Sequence, residues 1–448
     1  MQRIRNWTIA AALIIVAAIG LYIVQERPSD SVPDLLMRNG EAATSVEFRN
    51  VRKSVQYYRD RIASHPDEIK NYVELAQVFI QEGRVSGLQH EYILKAQPLL
   101  DEALRRDPKN FDALVTNASM QLTLHHFAEA KAIVEEAIVI NPYSAAAYGV
   151  FFDALVELGE YDQALQACDK MMSIRPDLRS YSRVSYLREI HGDLDGAREA
   201  MKLAAQSGIP GQENRAWALY TLGKLYMQQG MLDTAQHIFA GILEERPGYA
   251  HALRGQAEVA SARGDHRKAI AHLVNALDLM LDHGFLEQLV DEYEAIGDRV
   301  NRDATMERVE AEFEEHGSGG WNVDREFAEF CLNHDITLPE ALSRAEREYR
   351  QRPGNIDVLS TYAWALHKND QSAEAVPLIE EAMRLKTQST TIFFRAGLIY
   401  KATHQTEKAR TMLASALTLN PHLTEPTASM AREALSTLDP LAQGNEMK

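Results

Sequence analysis

Cysteine is almost missing from this chain: its 448 residues include two, Cys168 and Cys331. Two thiols build neither a disulfide framework nor a structural zinc site. Glycine and proline are sparse, at 24 and 15, which disfavours an all-β domain full of tight turns and long disordered stretches. Positive charge is in deficit: 47 Lys and Arg stand against 64 Asp and Glu, a formal net charge of −17. A general nucleic-acid binder needs a basic face to neutralise phosphates, and this balance argues against one. The short signatures of catalysis are missing too. No HExxH, CxxC, GxSxG, Walker loop or dinucleotide-binding loop occurs, so no motif here prepares a metal, a nucleophile or a phosphate cradle.

The longest uncharged run lies near the N-terminus. Trp7 to Val24 are eighteen residues without a charge, and at 1.5 Å rise they span roughly 27 Å, enough for a bilayer core. Arg3 and Arg5 precede the run, and Glu26, Arg27, Asp30 and Asp34 follow it. Denser positive charge on the N-terminal side predicts that this end stays cytoplasmic and that the chain after Val24 is exported. The competing reading is a cleaved signal peptide with Ala18-Ile19-Gly20 as a small-x-small site. The apolar run continues through Leu21 to Val24, and there is no lipobox cysteine, which favours an anchor. Residues 25–44, with Pro28, Ser29, Ser31 and Pro33, read as a linker.

The remainder is periodic. Ala96, Ala130, Ala164, Ala197, Ala235, Ala269, Ala304, Ala341, Ala375 and Ala409 recur at spacings of 33 to 38 residues. Six of them are followed twelve residues later by proline: Pro108, Pro142, Pro176, Pro247, Pro353 and Pro421. Gly159, Gly192, Gly230 and Gly264 stand five residues before their alanines, and Ala103, Ala137, Ala204, Ala276, Ala311, Ala382 and Ala416 seven residues after theirs. Helical periodicity fills the intervals. The marks predict a helical hairpin repeated about ten times. Glycine allows the turn, alanine lets two helix axes approach, and proline ends the second helix. One hairpin leaves an apolar face bare, so the units must stack.

This pattern resembles the tetratricopeptide repeat, whose consensus is Trp-x2-Leu-Gly-x2-Tyr, then Ala-x3-Phe, then Pro. Leu219, Leu222-Gly223, Tyr226, Ala235, Phe239 and Pro247 match all but the tryptophan, and Phe393, Gly397, Tyr400, Ala409, Ala416 and Pro421 match in the last repeat. The resemblance covers residues 69–421. It implies an all-α superhelical solenoid of about ten hairpins, and the uncharged run adds one N-terminal transmembrane helix before it. The expected organisation is a cytoplasmic tip and anchor at 1–24, the linker at 25–44, a first sub-array with its capping helix at 45–316, a second sub-array at 317–422, and a capping helix and tail at 423–448. The Gly317-Ser318-Gly319-Gly320 run is the expected joint or long loop. The first repeat holds about eight extra residues before Ala96, which predicts a longer loop or longer helices. Every hairpin is accounted for by the repeat and no block remains for a catalytic domain, so the expectation is no enzyme, no cofactor and no small-molecule substrate.

Fifteen histidines raise the question of a metal. His125 and His126 are adjacent and point to different sides, and His125 and His404 stand where other repeats have the turn glycine, so they read as turn residues rather than ligands. Cys168 and Cys331 read as buried thiols.

In the family that the chain resembles, the first helix of each hairpin lines a concave surface that contacts ligands. Carried over by register, this gives Ser182 and Tyr186; Trp217, Tyr220, Lys224 and Met227; His251, Arg254 and Glu258; Glu287, Asp291 and Glu294; Trp364 and His367; and Phe394. Glu287, Asp291 and Glu294, at i, i+4 and i+7, form one acidic stripe. Aromatic groups beside an acidic stripe suit an extended peptide with apolar and basic side chains. The carboxylate clamp of some family members is not matched, because Asp153, Lys224, Glu258 and Asp291 stand where it needs asparagine. The expected function is a membrane-anchored interaction scaffold binding a protein or peptide partner outside a bacterial cytoplasmic membrane, to assemble an envelope complex. The alternatives are an adaptor in secretion or cytochrome maturation, or the non-catalytic repeat subunit of an enzyme such as a glycosyl transferase.

Overall fold

A computed structural model describes residues 32–38, 43, 45–423 and 427–438. The expected anchor, Trp7 to Val24, lies outside them. Among the described residues no helix is long and apolar enough to cross a membrane.

Twenty-two α-helices and no strand occur among the described residues. A single helix, α1 (Val46–Ser64), precedes the first hairpin, α2 (Ile69–Ser86) with α3 (Gln89–Arg106). The next are α4 (Phe111–Thr123) with α5 (Phe127–Ile140), α6 (Ala145–Leu158) with α7 (Tyr161–Ile174), and α8 (Leu178–Ile190) with α9 (Leu194–Gln206). The fifth to seventh are α10 (Glu213–Met227) with α11 (Leu232–Glu245), α12 (Ala250–Ala262) with α13 (His266–Leu277), and α14 (His283–Ala295) with α15 (Arg299–Ser318). The last three are α16 (Asp324–Asn333) with α17 (Leu338–Gln351), α18 (Ile356–Lys368) with α19 (Ser372–Ala382), and α20 (Thr390–Ala402) with α21 (Thr406–Leu419), and α22 (Thr427–Thr437) closes the series. This is the helix count of eleven hairpins rather than about ten. The surplus pair is split, one lone helix at each end of ten hairpins.

The periodic residues act as expected at most positions. Nine of the ten alanines have no exposed surface. The residues before the prolines are extended, as at Asp107 (φ −135°) and Asn141 (φ −136°), because the proline ring crowds a helical neighbour. The Phe239 ring, fully buried, lies over Gly223, where a Cβ would come within 2.3 Å of it. His125 and His404 hold the left-handed turn conformation at φ 60° and 59°. The extra residues of the first repeat lengthen α2 and α3 to 18 residues each, and their turn falls at Gly87 rather than Gly83.

Ala304 and Ala311 depart from the expectation and are exposed. In α15 the inward positions are Thr305, Val309 and Phe313. A shift of one residue turns a helix by about 100°, so Thr305, Val309 and Phe313 face inward and Ala304 and Ala311 face out. The glycine run closes α15, and one apolar cluster continues from Val309 and Phe313 to Val323 and Ala328 on its far side.

The chain divides into two compact units, residues 1–116 and 117–448. In the first, Phe48, Leu75, Phe79 and Leu100 are fully buried. Part of the expected linker is fixed to this unit. Val32 is buried, the Leu36 N–H donates to the Tyr92 hydroxyl at 3.0 Å, and Arg38 spans both Glu82 oxygens at 2.6 and 2.7 Å. Tyr92 and Glu82 are each 1% exposed, and buried polar groups require partners. The segment 32–38 supplies them, which is why it does not hang free.

The second unit coils far enough for its windings to touch. Each contact joins a hairpin turn to a loop about 195 residues later. The Asn322 N–H donates to the Leu124 carbonyl at 3.1 Å. Arg352 donates to the Glu157 carboxylate at 2.6 Å and to Glu348 at 2.5 Å, with its guanidinium 4.5 Å from the Phe127 ring centre. Asn355 reaches the Glu157 carbonyl at 3.0 Å, the Ile356 N–H donates to the Tyr161 hydroxyl at 3.0 Å, and Thr387 donates to the Ile190 carbonyl. Gly159 meets Gly354 so closely that a Cβ would lie 2.0 Å from the Gly354 carbonyl carbon.

Gly159 has φ +77°, and Gly264, in a turn with nothing within 4 Å of an added Cβ, has φ +78°. A left-handed alanine costs about 1 to 2 kcal/mol at either site. Only Gly159→Ala also forces the windings apart, adding about 1 to 3 kcal/mol of overpacking. Urea unfolding is expected to show the larger loss for Gly159→Ala, with faster amide exchange at 352–356. Equal losses and unchanged exchange would show that the seam adds no stability.

Candidate functional site on the inner helices

In the second unit the first helices of neighbouring hairpins pack on one another: α6 on α8, α8 on α10, α10 on α12, α16 on α18 and α18 on α20. They form an inner layer, and ion pairs lace it together. Asp153 of α6 accepts from Arg183 of α8 at 2.9 and 2.5 Å. Gln228 donates to Glu189 at 2.8 Å. Lys224 of α10 meets Glu258 of α12 at 2.5 Å, and Arg254 meets the same carboxylate at 3.2 Å. Arg395 of α20 reaches across to Glu329 of α16 at 3.0 Å, joined by the Thr361 hydroxyl.

Burial alone would raise these carboxyls. At Glu258 the two cations outweigh it and hold the group below its usual range. At Glu329 Arg395 and Thr361 do the same, bringing it to about 2. At Asp153 burial prevails over Arg183 and the carboxyl is raised.

The acidic stripe divides. Glu294 is ion-paired with Arg302 of its own hairpin. Asp291 keeps 59% of its side chain exposed and lies 3.8 Å from the His334 ring. Glu287 has no hydrogen-bond or ion-pair partner among the described residues; burial, with Asp291 nearby, raises it to about 8.

The expected aromatic residues divide as well. Trp217 and Tyr186 are 39% and 37% exposed. Tyr220 is half-buried between Phe239 and His251, with ring centres at 5.8 and 5.5 Å. Trp364 and Phe394 do not belong to the surface. They are 4% and 7% exposed, with rings 5.9 Å apart, and they pack between the last two hairpins. His367 stacks on Trp364 at 5.0 Å. Cys168 and Cys331 are each 1% exposed, and burial raises both thiols. Among the described residues no group of three His, Cys, Asp or Glu could hold a metal ion.

Sequence reasoning missed the pairs Asp153–Arg183 and Glu329–Arg395, which stand 30 and 66 residues apart. The signal was there: an acid and a base about one or two repeats apart on first helices.

Comparison with known proteins places these hairpins. Residues 122–188 and 190–258 match the tetratricopeptide repeat family. Cellulose synthase operon protein C of Pseudomonas fluorescens is 22% identical over 188 residues, 40% of this chain and 14% of that protein. The DnaJ homolog subfamily C member 7 homolog of Schizosaccharomyces pombe is 25% identical over 283 residues, 58% of each chain. This chain thus spans between 14% and 58% of the length of these curated relatives. Among solved structures, a thermophilic tetratricopeptide repeat protein of Thermus thermophilus aligns over 43% of this chain and 98% of its own, at 21% identity and TM-score 0.38.

Glu287 makes the surface pH-dependent. Its folded value near 8 lies above the ordinary 4.5, so the folded state holds the proton more tightly than the unfolded one. Stability from this group is complete below pH 4.5 and declines as pH rises through 8. Glu287→Gln is therefore expected to raise the urea midpoint more at pH 8.5 than at pH 5, by the ~1 kcal/mol scale of single-site effects. An equal shift at both pH values would show that the carboxylate is solvated at no cost.

Proposed function

We propose that this tetratricopeptide repeat protein is a membrane-anchored interaction scaffold that binds an extended segment of a partner protein along the inner helices of its second unit. Proteins with these repeats are, in general, non-catalytic scaffolds for protein–protein contacts. One observation carries the narrower reading. Trp217 and Tyr186 are exposed on a layer where most charges are already paired, while Glu287 makes no hydrogen bond or ion pair among the described residues and Asp291 meets only the His334 ring at 3.8 Å. A segment with apolar and basic side chains would supply the missing contacts. Because the windings touch at the seam, such a segment would enter along the superhelix axis rather than from the side, which favours an extended chain.

The anchor rests on the uncharged run from Trp7 to Val24 and the arginines before it. It would place the N-terminus inside a bacterial cytoplasmic membrane and the repeats outside it. A second reading, a non-catalytic repeat subunit of an envelope polysaccharide enzyme, draws on the likeness to cellulose synthase operon protein C. The first reading expects a partner held at the inner helices, and the second expects copurification of an active synthase.

A photoreactive amino acid in place of Trp217 is expected to crosslink a partner in membranes, whereas one in place of Val139, 84% exposed on α5, is not. Trp217→Ala should weaken partner capture and leave unfolding within about 0.5 kcal/mol of the parent. Trp364→Ala should instead destabilise by about 3 to 5 kcal/mol. Crosslinking at Val139 alone, or unfolding of Trp217→Ala, would overturn the inner-surface reading. A periplasm-active reporter fused after Lys448 should give signal; signal from a cytoplasm-active reporter alone would overturn export.

A further inference from the structure

Helix α1 turns Phe48, Val55 and Ile62 inward, each no more than 2% exposed. Away from these it exposes Arg49, Arg52, Lys53, Gln56 and Tyr57. Positions 49, 52, 53 and 56 share one stripe of a helix. The other arginines of α1 are paired, Arg59 with Asp34 at 2.8 Å and Arg61 with Glu68 at 2.6 Å. Arg49, Arg52 and Lys53 have no acidic partner among the described residues. Val46 and Tyr57 expose 63% and 57% of their surface beside these cations.

Charge is distributed unevenly along the chain. Residues 1–116 hold fifteen basic and fifteen acidic side chains, so the whole of the −17 falls on residues 117–448. The basic stripe lies on the neutral unit. It also lies beside the fixed segment 32–38, which Asp34 ties to α1. Seven residues separate Val24 from Val32, and these can bridge at most about 25 Å.

We infer that the exposed face of α1 rests on the headgroups of an anionic bilayer, with Arg49, Arg52 and Lys53 toward the phosphates and Tyr57 at the interface. This inference rests on the reading of Trp7 to Val24 as a membrane segment. The short span then holds α1 near the surface that its cations fit. Each basic residue at an anionic surface gains about fivefold in partitioning, and tyrosine favours the interfacial layer. The acidic second unit gains nothing from that surface.

The test uses the full chain carrying Gln56→Cys and a fluorescent label, reconstituted in phosphatidylcholine vesicles with or without phosphatidylglycerol. Cys168 and Cys331 are buried, so the label goes to position 56. A headgroup quencher is expected to act about twofold or more strongly on the label in the anionic vesicles. The combined reversal Arg49→Glu, Arg52→Glu and Lys53→Glu should abolish the difference, and so should high salt. A label at Gln97→Cys, exposed on α3, should not respond. Resistance to alkaline carbonate reports the anchor separately. A resistant chain without lipid-dependent quenching at position 56 overturns the α1 inference and leaves the anchor reading intact. A chain removed by carbonate overturns the anchor reading; the α1 face then stands only if anionic vesicles still bind the chain and the triple variant loses about tenfold or more. Quenching confined to native membranes and missing from protein-free vesicles would assign the face to an acidic protein and overturn the lipid inference.

Discussion

Each hairpin depends on a close approach of two helices that only a small side chain permits. Alanine meets this need at nine of the ten expected positions, with no surface left exposed. A larger residue at the crossing would separate the axes and change the angle at which the next hairpin stacks. The seventh hairpin is instructive, because there Thr305, Val309 and Phe313 take the inward positions and α15 rotates to accommodate them. The stack tolerates this irregularity, since each hairpin answers only to its neighbours. Repeated many times, the same small rotation carries the second unit around until its windings meet.

Where they meet, a different physical demand applies. Arg352 is 5% exposed and Glu348 is 2% exposed, and removing either partner of such a pair leaves an uncompensated buried charge. The Glu157 carboxylate and the Phe127 ring, both brought from the facing winding, complete the shell around the guanidinium. The seam is therefore specific. A winding displaced by one residue would present Gly354 with a side chain in place of Gly159.

The hairpins were readable from the sequence because alanine, proline and glycine recur with the repeat. The seam was not, since its contacts link residues about 195 apart and each occurs once. A single arginine or a glycine pair leaves no periodic mark. Register places Trp217 and Trp364 alike on first helices, yet Trp217 is 39% exposed and Trp364 is buried. Their difference lies in the neighbours. Trp364 is covered by His367 and Phe394, whereas Trp217 stays 39% exposed. The linker reading failed in part for a similar reason, because the demand of buried Tyr92 and Glu82 for partners cannot be seen from residues 32–38 themselves.

Closure and the inner charge ladder act on each other. Glu157, which holds Arg352 at the seam, also feels Arg325 and Asp357 of the inner helices. Glu326 lies 3.9 Å from the His125 ring, whose Nδ1 also contacts the Asn322 carbonyl of the seam. The seam and the inner layer thus share one set of side chains, with Glu157 of α6 and Glu326 of α16 as the common elements.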